Sequence, residues 1–316
     1  MTRTPAPLVA VLGPTGSGKS ELGLRIAEDF GGEVVNCDSL QVYRYFNIGA
    51  AKLSPAEQRG IPHHLLDIID PGELFTAGEY ARLARAVIAE ITERGRLPVI
   101  VGGTGFYLRA LLDGLFPGPQ REETLRRRLM SREARHPGWL HRLLNRCDPA
   151  AAAKIHPADV QKLVRACEVL LITRRPLTEL FERRDALEGY RTLKLGIDPP
   201  RDALYARLNA RTEQMFALGL VDEVRAVLAR GFPQTVKPLQ SHGYRQALQY
   251  LKGEVSLEAA IRSAQTNTRR YAKRQWTWFR RDPEIIWLRG FGDDNSLQYQ
   301  AALHVRAFLP ASDPHP

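Results

Sequence analysis

Apolar positions along the chain follow two rhythms. Short apolar runs at 8–12 and 98–101 read as buried strands, and 33–37 (EVVNC) as another. Between them, 21–30 and 76–94 carry apolar residues at helical spacing, as in Tyr80, Leu83, Ala84, Val87, Ile88 and Ile91. Gly31-Gly32 and Gly95 supply the stops, and another helix follows through residue 112. Residues 41–72 show no period and are punctuated by Pro55, Pro62 and Pro71-Gly72. Strand, helix, strand, helix is the signature of an α/β protein with a doubly wound, mainly parallel sheet.

The alternation stops at Pro117-Gly118-Pro119, and no strand pattern returns until 192–198, where Leu193, Leu195 and Ile197 alternate. The intervening stretch is arginine-rich and helical. Asp148-Pro149 and Asp159 are helix-start signals, and Leu163, Val164, Cys167 and Leu171 form one apolar stripe, with Gln161 and Arg165 on a neighbouring, more exposed face. Helices are expected at 202–218, 221–229 and 254–278, and a last strand at 284–288. The expected organisation is a core of 1–118 and 192–290, an all-helical insertion at 119–191, and a frayed tail at 291–316.

Composition changes this picture in one respect. Of 316 residues, 44% are apolar and 25% charged, as in ordinary soluble proteins, but the net charge is +10. That excess suits a polyanionic partner, or simply a solvated surface. Cys37, Cys147 and Cys167 form no C-x-x-C pair, and neither an apolar signal core nor a membrane-length run occurs. A soluble, cytoplasmic protein with reduced thiols and no membrane partner is expected.

The sharpest chemical signal joins the first strand to the first helix. Gly13, Pro14, Thr15, Gly16, Ser17, Gly18, Lys19 and Ser20 fit the P-loop pattern G-x-x-x-x-G-K-[ST]. Such a loop turns backbone N–H groups inward, adds a helix N-terminus and a lysine, and offers Ser20 as a ligand for Mg²⁺. Alone it reads as a nucleotide- or ATP-binding site. Nucleoside triphosphatases also need an acid at the end of a neighbouring apolar strand, yet 98–101 runs into Gly102-Gly103-Thr104-Gly105. Asp38, after the second strand, is the one acid so placed. By spacing it is a helix cap, an outer partner of Mg²⁺ or a general base. Arg211, mid-helix, is not selected by spacing, and the adjacent His63-His64 suit a structural role better than a metal site. Residues 268–281, TRRYAKRQWTWFRR, interleave cations with aromatics, as nucleic-acid contacts and amphipathic core helices both do.

Taken together, GPTGSGKS (13–20), DSLQVYR (38–44), PHHLLD (62–67), GGTGFYLRAL (102–111), DVQKLVRACEV (159–169), RTEQMFALGLVDEV (211–224) and TRRYAKRQWTWFRR (268–281) resemble the bacterial tRNA dimethylallyltransferases, from about residue 8 to 288. Two departures are small: Gly16 stands where alanine is frequent, and His242 where an aliphatic residue is commoner. The resemblance implies transfer of a dimethylallyl group from dimethylallyl diphosphate to N6 of the adenine 3' of the anticodon (position 37) in tRNAs reading U-starting codons. Residues 13–20 would then hold the diphosphate with Mg²⁺ on Ser20. Thr15 and Arg211 would assist them, and Asp38 would take the amine proton. Asp38, Ser39, Leu40, Gln41, Thr104, Arg126, Gln161, Lys162, Leu163, Val164 and Arg165 would contact the anticodon stem-loop of a tRNA bound by a monomer. Two other readings share the loop: an adenylate isopentenyltransferase acting on free nucleotides, and an ATP-driven kinase or nucleic-acid-dependent NTPase. The basic insertion disfavours the first, and the acid-free third strand disfavours the second.

Overall fold

Strands that bury both faces must be covered by helices on both sides, and that requirement shapes the larger part of this protein. The structure, a computed structural model, describes residues 5–116, 118–181 and 185–310. It divides into two compact units, Met1–Leu111 with Glu188–Pro316, and Leu112–Leu187. The division falls earlier than the 119–191 expected from the prolines. Leu187 N donates to Leu112 O at 2.9 Å and closes the neck of the insertion there. Pro117 lies outside the described residues.

In the first unit the chain runs β1 (Ala6–Leu12), α1 (Lys19–Asp29), β2 (Gly32–Asn36), β3 (His63–His64), α2 (Ala77–Glu93), β4 (Leu97–Gly102) and α3 (Gly105–Leu112). The other unit contributes α4 (Glu123–Arg135), α5 (Trp139–Cys147), α6 (Pro149–Lys154), α7 (Val160–Thr173) and α8 (Leu177–Phe181). The first unit resumes with β5 (Tyr190–Asp198), α9 (Arg201–Ala217), α10 (Leu220–Ala229), α11 (Tyr244–Leu251), α12 (Leu257–Phe279), β6 (Ile286–Arg289) and α13 (Asn295–Phe308).

The sheet has the order β3-β2-β4-β1-β5-β6, and every pairing is parallel. Val9 pairs with Val99 and Leu193, so β1 sits between β4 and β5 with its whole apolar run buried. On one face Val9, Val11, Val99, Val101, Leu195 and Ile197 pack against Leu22 and Ile26 of α1 and against Leu297, Ala301 and Val305 of α13. Thr76 caps α2 in a reciprocal box with Glu79, which explains its abrupt start.

Three expectations need correction. The tail is not frayed after 291, because α13 buries one face in the main core; residues 311–316 lie outside the described part. The irregular stretch 41–72 contains the edge strand β3, whose two residues are too few to show a period. Here His64 Nε2 bonds Glu33 at 2.7 Å, and His63 Nδ1 bonds Ile61 O at 2.9 Å. Burial would raise the Glu33 carboxyl, but hydrogen bonds from Arg94 and His64 hold it below its ordinary value.

The third correction concerns the helical unit. Leu163 and Val164 are fully buried with Leu140, Leu144, Ala166 and Cys167, so their side chains present nothing to a nucleic acid. Arg126 is also buried, and with Arg165 it pairs to the buried Glu168 at 3.1 and 2.8 Å. Glu168 accepts a third bond from Glu122 N at 2.8 Å. Burial opposes its ionisation, and these donors overcome that and lower its pKa. Among the six residues of this unit expected to meet tRNA, Lys162 stands out, with its side chain 71% exposed and, among the described residues, bonded to Asp159.

Candidate active site

In a parallel sheet all strands point the same way, so the loops after their carboxyl ends share one crevice. Here those loops are the P-loop after β1, Asp38 after β2 and Gly102–Thr104 after β4. Helices α9 and α12 bring further side chains to them. The absence of an acid after β4 has a steric cause. A Cβ on Gly102 would lie 2.1 Å from Cys37 O, and one on Gly103 the same distance from Gln275 Nε2.

The P-loop is held from outside as well as within. Thr15 N donates to Gln275 Oε1 at 2.8 Å, while Gln275 Nε2 donates to Gly103 O at 2.9 Å. One buried amide therefore ties the loop to the end of β4. Lys19 folds back along the loop, its Nζ donating to Pro14 O at 2.7 Å. Burial brings its pKa down to about 8, the negative charge of Asp38 works against that, and the positive charge of Arg211 adds to it. Arg211 is likewise pushed below its ordinary value by burial and by the charge of Arg207. It has no hydrogen bond or ion pair among the described residues. Two cations desolvated side by side leave a site short of negative charge, which an anion would relieve.

Asp38 is fixed by its neighbours. Its N–H donates to Asn36 Oδ1 at 3.1 Å, and its Oδ1 accepts from Leu40 N and Gln41 N at 2.8 and 3.3 Å. Thr104 Oγ1 accepts from Ser39 N at 3.1 Å, setting the next residue too. Asp38 therefore caps a turn, where a helix cap was expected, and this uses one carboxylate oxygen. Oδ2 makes no hydrogen bond within the described residues.

Two cavities meet at this carboxylate. One, of about 280 Å³, is lined by Lys19, Ser20, Gln41 and Arg207. The other, of about 400 Å³, is lined by Ser39, Leu40, His242, Tyr271 and Arg274. Thr15, Asp38, Ala50 and Arg211 line both. Three of these four, Thr15, Asp38 and Arg211, are residues for which the resemblance implies a part in the reaction. The larger cavity has an aromatic wall, with the His242 and Tyr271 rings 4.6 Å apart and the Arg274 guanidinium 5.6 Å from the Tyr271 ring. Burial lowers the His242 pKa, Asp38 opposes that and Arg274 reinforces it, so the ring is neutral near pH 7.

Several contributors escape a sequence reading. Gln275 carried a signal, a polar residue between Ala272 and Phe279 on the buried stripe of α12. Glu223 carried none. It accepts from Asn47 N and Ile48 N, both at 2.8 Å, from Gly49 N, and from Tyr244 Oη, and so pins the loop that walls the larger cavity. The cation-rich end of α12 serves several ends: Arg269 bonds Asn209, Arg280 pairs with Asp198, and Arg274 faces the larger cavity.

Among the described residues no group of three or more His, Cys, Asp or Glu could hold a metal ion. No helix there is long and apolar enough to cross a membrane. A family model described as IPP transferase matches residues 41–282. The chain is 65% identical to a tRNA dimethylallyltransferase of Solibacter usitatus, over 96% of this chain and 99% of that protein. It is 50% identical to one of Geobacter metallireducens, over 92% and 94%. Its fold matches a crystal structure of the tRNA isopentenylpyrophosphate transferase of Bacillus halodurans, with a TM-score of 0.71 and 38% identity over 96% of each chain. It also matches a eukaryotic dimethylallyltransferase acting on tRNA, with a TM-score of 0.82 and 27% identity over 98% of this chain and 81% of that one. The loop, the desolvated cations and the carboxylate between two cavities thus sit in a chain that belongs to the IPP transferase family.

Proposed function

We propose that this protein transfers the dimethylallyl group of dimethylallyl diphosphate to N6 of the adenine 3' of the anticodon (position 37) in tRNAs reading U-starting codons, with release of diphosphate. The observation that carries this reading is the meeting of two cavities at Thr15, Asp38 and Arg211, one cationic and one aromatic-walled. The smaller, with Lys19 and Arg211 short of counter-charge, suits a diphosphate. The larger suits an extruded base, which the anticodon loop must unstack to deliver. That the named relatives are tRNA enzymes favours this acceptor over free adenine nucleotides.

In the reaction N6 attacks the allylic carbon as the bond from that carbon to the diphosphate oxygen breaks. Charge grows on the departing oxygens, where loop N–H groups, Lys19 and Arg211 offset it. The N6 proton passes to Asp38 Oδ2, whose partner oxygen keeps the carboxylate oriented through Leu40 N and Gln41 N. The exposed Ser20 hydroxyl lines the diphosphate cavity. One hydroxyl suits a Mg²⁺ ion that draws most of its ligands from substrate and water. When bound, the ion would supply further charge neutralisation to the leaving group. Arg165, Lys162 and Gln161 are the parts of the helical unit that this reading assigns to the stem-loop.

The test supplies labelled dimethylallyl diphosphate and Mg²⁺ with an unmodified anticodon stem-loop, with AMP and ATP as competing acceptors. Label on the adenine N6 of the RNA supports the reading. Label on AMP or ATP instead would overturn it.

A further inference from the structure

The segment between β6 and α13 lies beyond residues 41–282, yet it is built into the P-loop. Gly292 N donates to Ser17 O at 2.8 Å. A Cβ on Gly18 would come within 2.6 Å of Asp293 Oδ1 and 2.7 Å of Gly292 N, and Gly18 has a φ of +86° that already favours glycine. The two backbones therefore touch. The loop is internally braced, with Phe291 N donating to Asp294 Oδ2 at 2.8 Å and Gln298 Nε2 to Gly292 O at 3.1 Å. Phe291 anchors it against Leu204 and Leu208 of α9.

This loop holds an arginine. Arg207 Nη1 and Nη2 donate to Asp293 Oδ1 and Oδ2 at 2.9 and 3.0 Å, a two-bond fork, and the guanidinium lies 4.8 Å from the Phe291 ring centre. Arg207 is one helical turn before Arg211 on α9, and both line the smaller cavity with Lys19 and Ser20. A guanidinium has five N–H donors, of which Asp293 takes two, so donors remain for a second anion. The other acids near the cavity mouth are engaged elsewhere: Glu21 pairs with Arg59, and Asp38 turns one oxygen to its own loop. Arg207 remains about 40% exposed, so an arriving anion reaches it without dismantling the pair.

We propose that Arg207 is a second arginine for the diphosphate leaving group, and that Asp293 and Phe291 steer it there. This rests on reading the smaller cavity as the diphosphate site. It makes the 290–294 loop a working part of that site, and it makes Asp293 a positioning residue that acts through Arg207.

The test titrates the full chain with inorganic diphosphate and Mg²⁺ in a calorimeter, without RNA. Losing a charge-assisted hydrogen bond predicts roughly ten- to hundredfold weaker binding for Arg207→Ala, with a smaller loss for Arg207→Lys, which keeps charge without the fork. The KM for dimethylallyl diphosphate rises in step, while that for the stem-loop is unchanged. Asp293→Ala weakens diphosphate binding in the native background and has no such effect beside Arg207→Ala. Native-like diphosphate binding by folded Arg207→Ala and Arg207→Lys, or equal losses from Asp293→Ala in both backgrounds, would overturn the proposal. If the unaltered chain itself fails to bind diphosphate, the reading of the cavity falls instead.

Discussion

Thr15 and Gln275 are separated by 260 positions and joined by one hydrogen bond of 2.8 Å, from the P-loop backbone to a buried side-chain amide. The same amide reaches Gly103 O, so the loop that would hold the leaving group and the end of β4 move as one body. Replacing Gln275 by leucine would strand a part-buried donor, Thr15 N, and a buried acceptor, Gly103 O. The expected cost is about 2–4 kcal/mol in chemical denaturation, with weaker diphosphate binding. Unchanged stability would mean the amide is not a tie.

Lys19 gives the site a pH dependence. Its pKa is about 8 in the folded chain against an ordinary 10.5, so between these values the unfolded chain holds the extra proton. For this group alone, stability of the ligand-free protein rises with pH across that window and is flat below it. Binding has the opposite sign, because the diphosphate needs the charged amine. The KM for dimethylallyl diphosphate should climb above about pH 8, and Lys19→Arg should remove the climb. A pH profile of KM from 7 to 9.5 checks both.

The helical unit separates residues that hold it together from exposed ones such as Lys162. Glu168→Gln removes the carboxylate under Arg126 and Arg165, and thermal or chemical unfolding should show a loss of about 3–5 kcal/mol. Lys162→Ala should leave stability unchanged. Stem-loop binding measured against salt should lose about one unit of its logarithmic slope, as for one phosphate contact.

Glu223 supports the acceptor side from a distance. Glu223→Gln keeps the shape but halves the acceptor capacity that holds Asn47 N, Ile48 N and Tyr244 Oη. The KM for the stem-loop should rise several-fold while the KM for dimethylallyl diphosphate stays put. Steady-state kinetics in both substrates distinguishes the two.

What the sequence reveals and conceals follows from the range of each interaction. Strands β1 and β4 are legible because burial on both faces leaves nearly unbroken apolar runs, and the P-loop because its chemistry is local. The Gly290–Asp294 turn reads like the start of a loose tail, since the partner that orders it, the P-loop backbone, lies at the other end of the chain. Arg126 looks like a surface cation among arginines. Its partner Glu168 stands on the buried side of α7, which only the packed helices disclose. Arg211 drew no notice from spacing, and its meaning comes from lining both cavities with no ion pair among the described residues.

The central claim is that Asp38, between the two cavities, takes the proton of the attacking amine. Single-turnover transfer to the stem-loop by Asp38→Ala, paired with a diphosphate titration, tests it most directly. General-base removal predicts a rate lower by roughly 10²–10⁴ with diphosphate binding retained. A near-normal transfer rate would contradict the account.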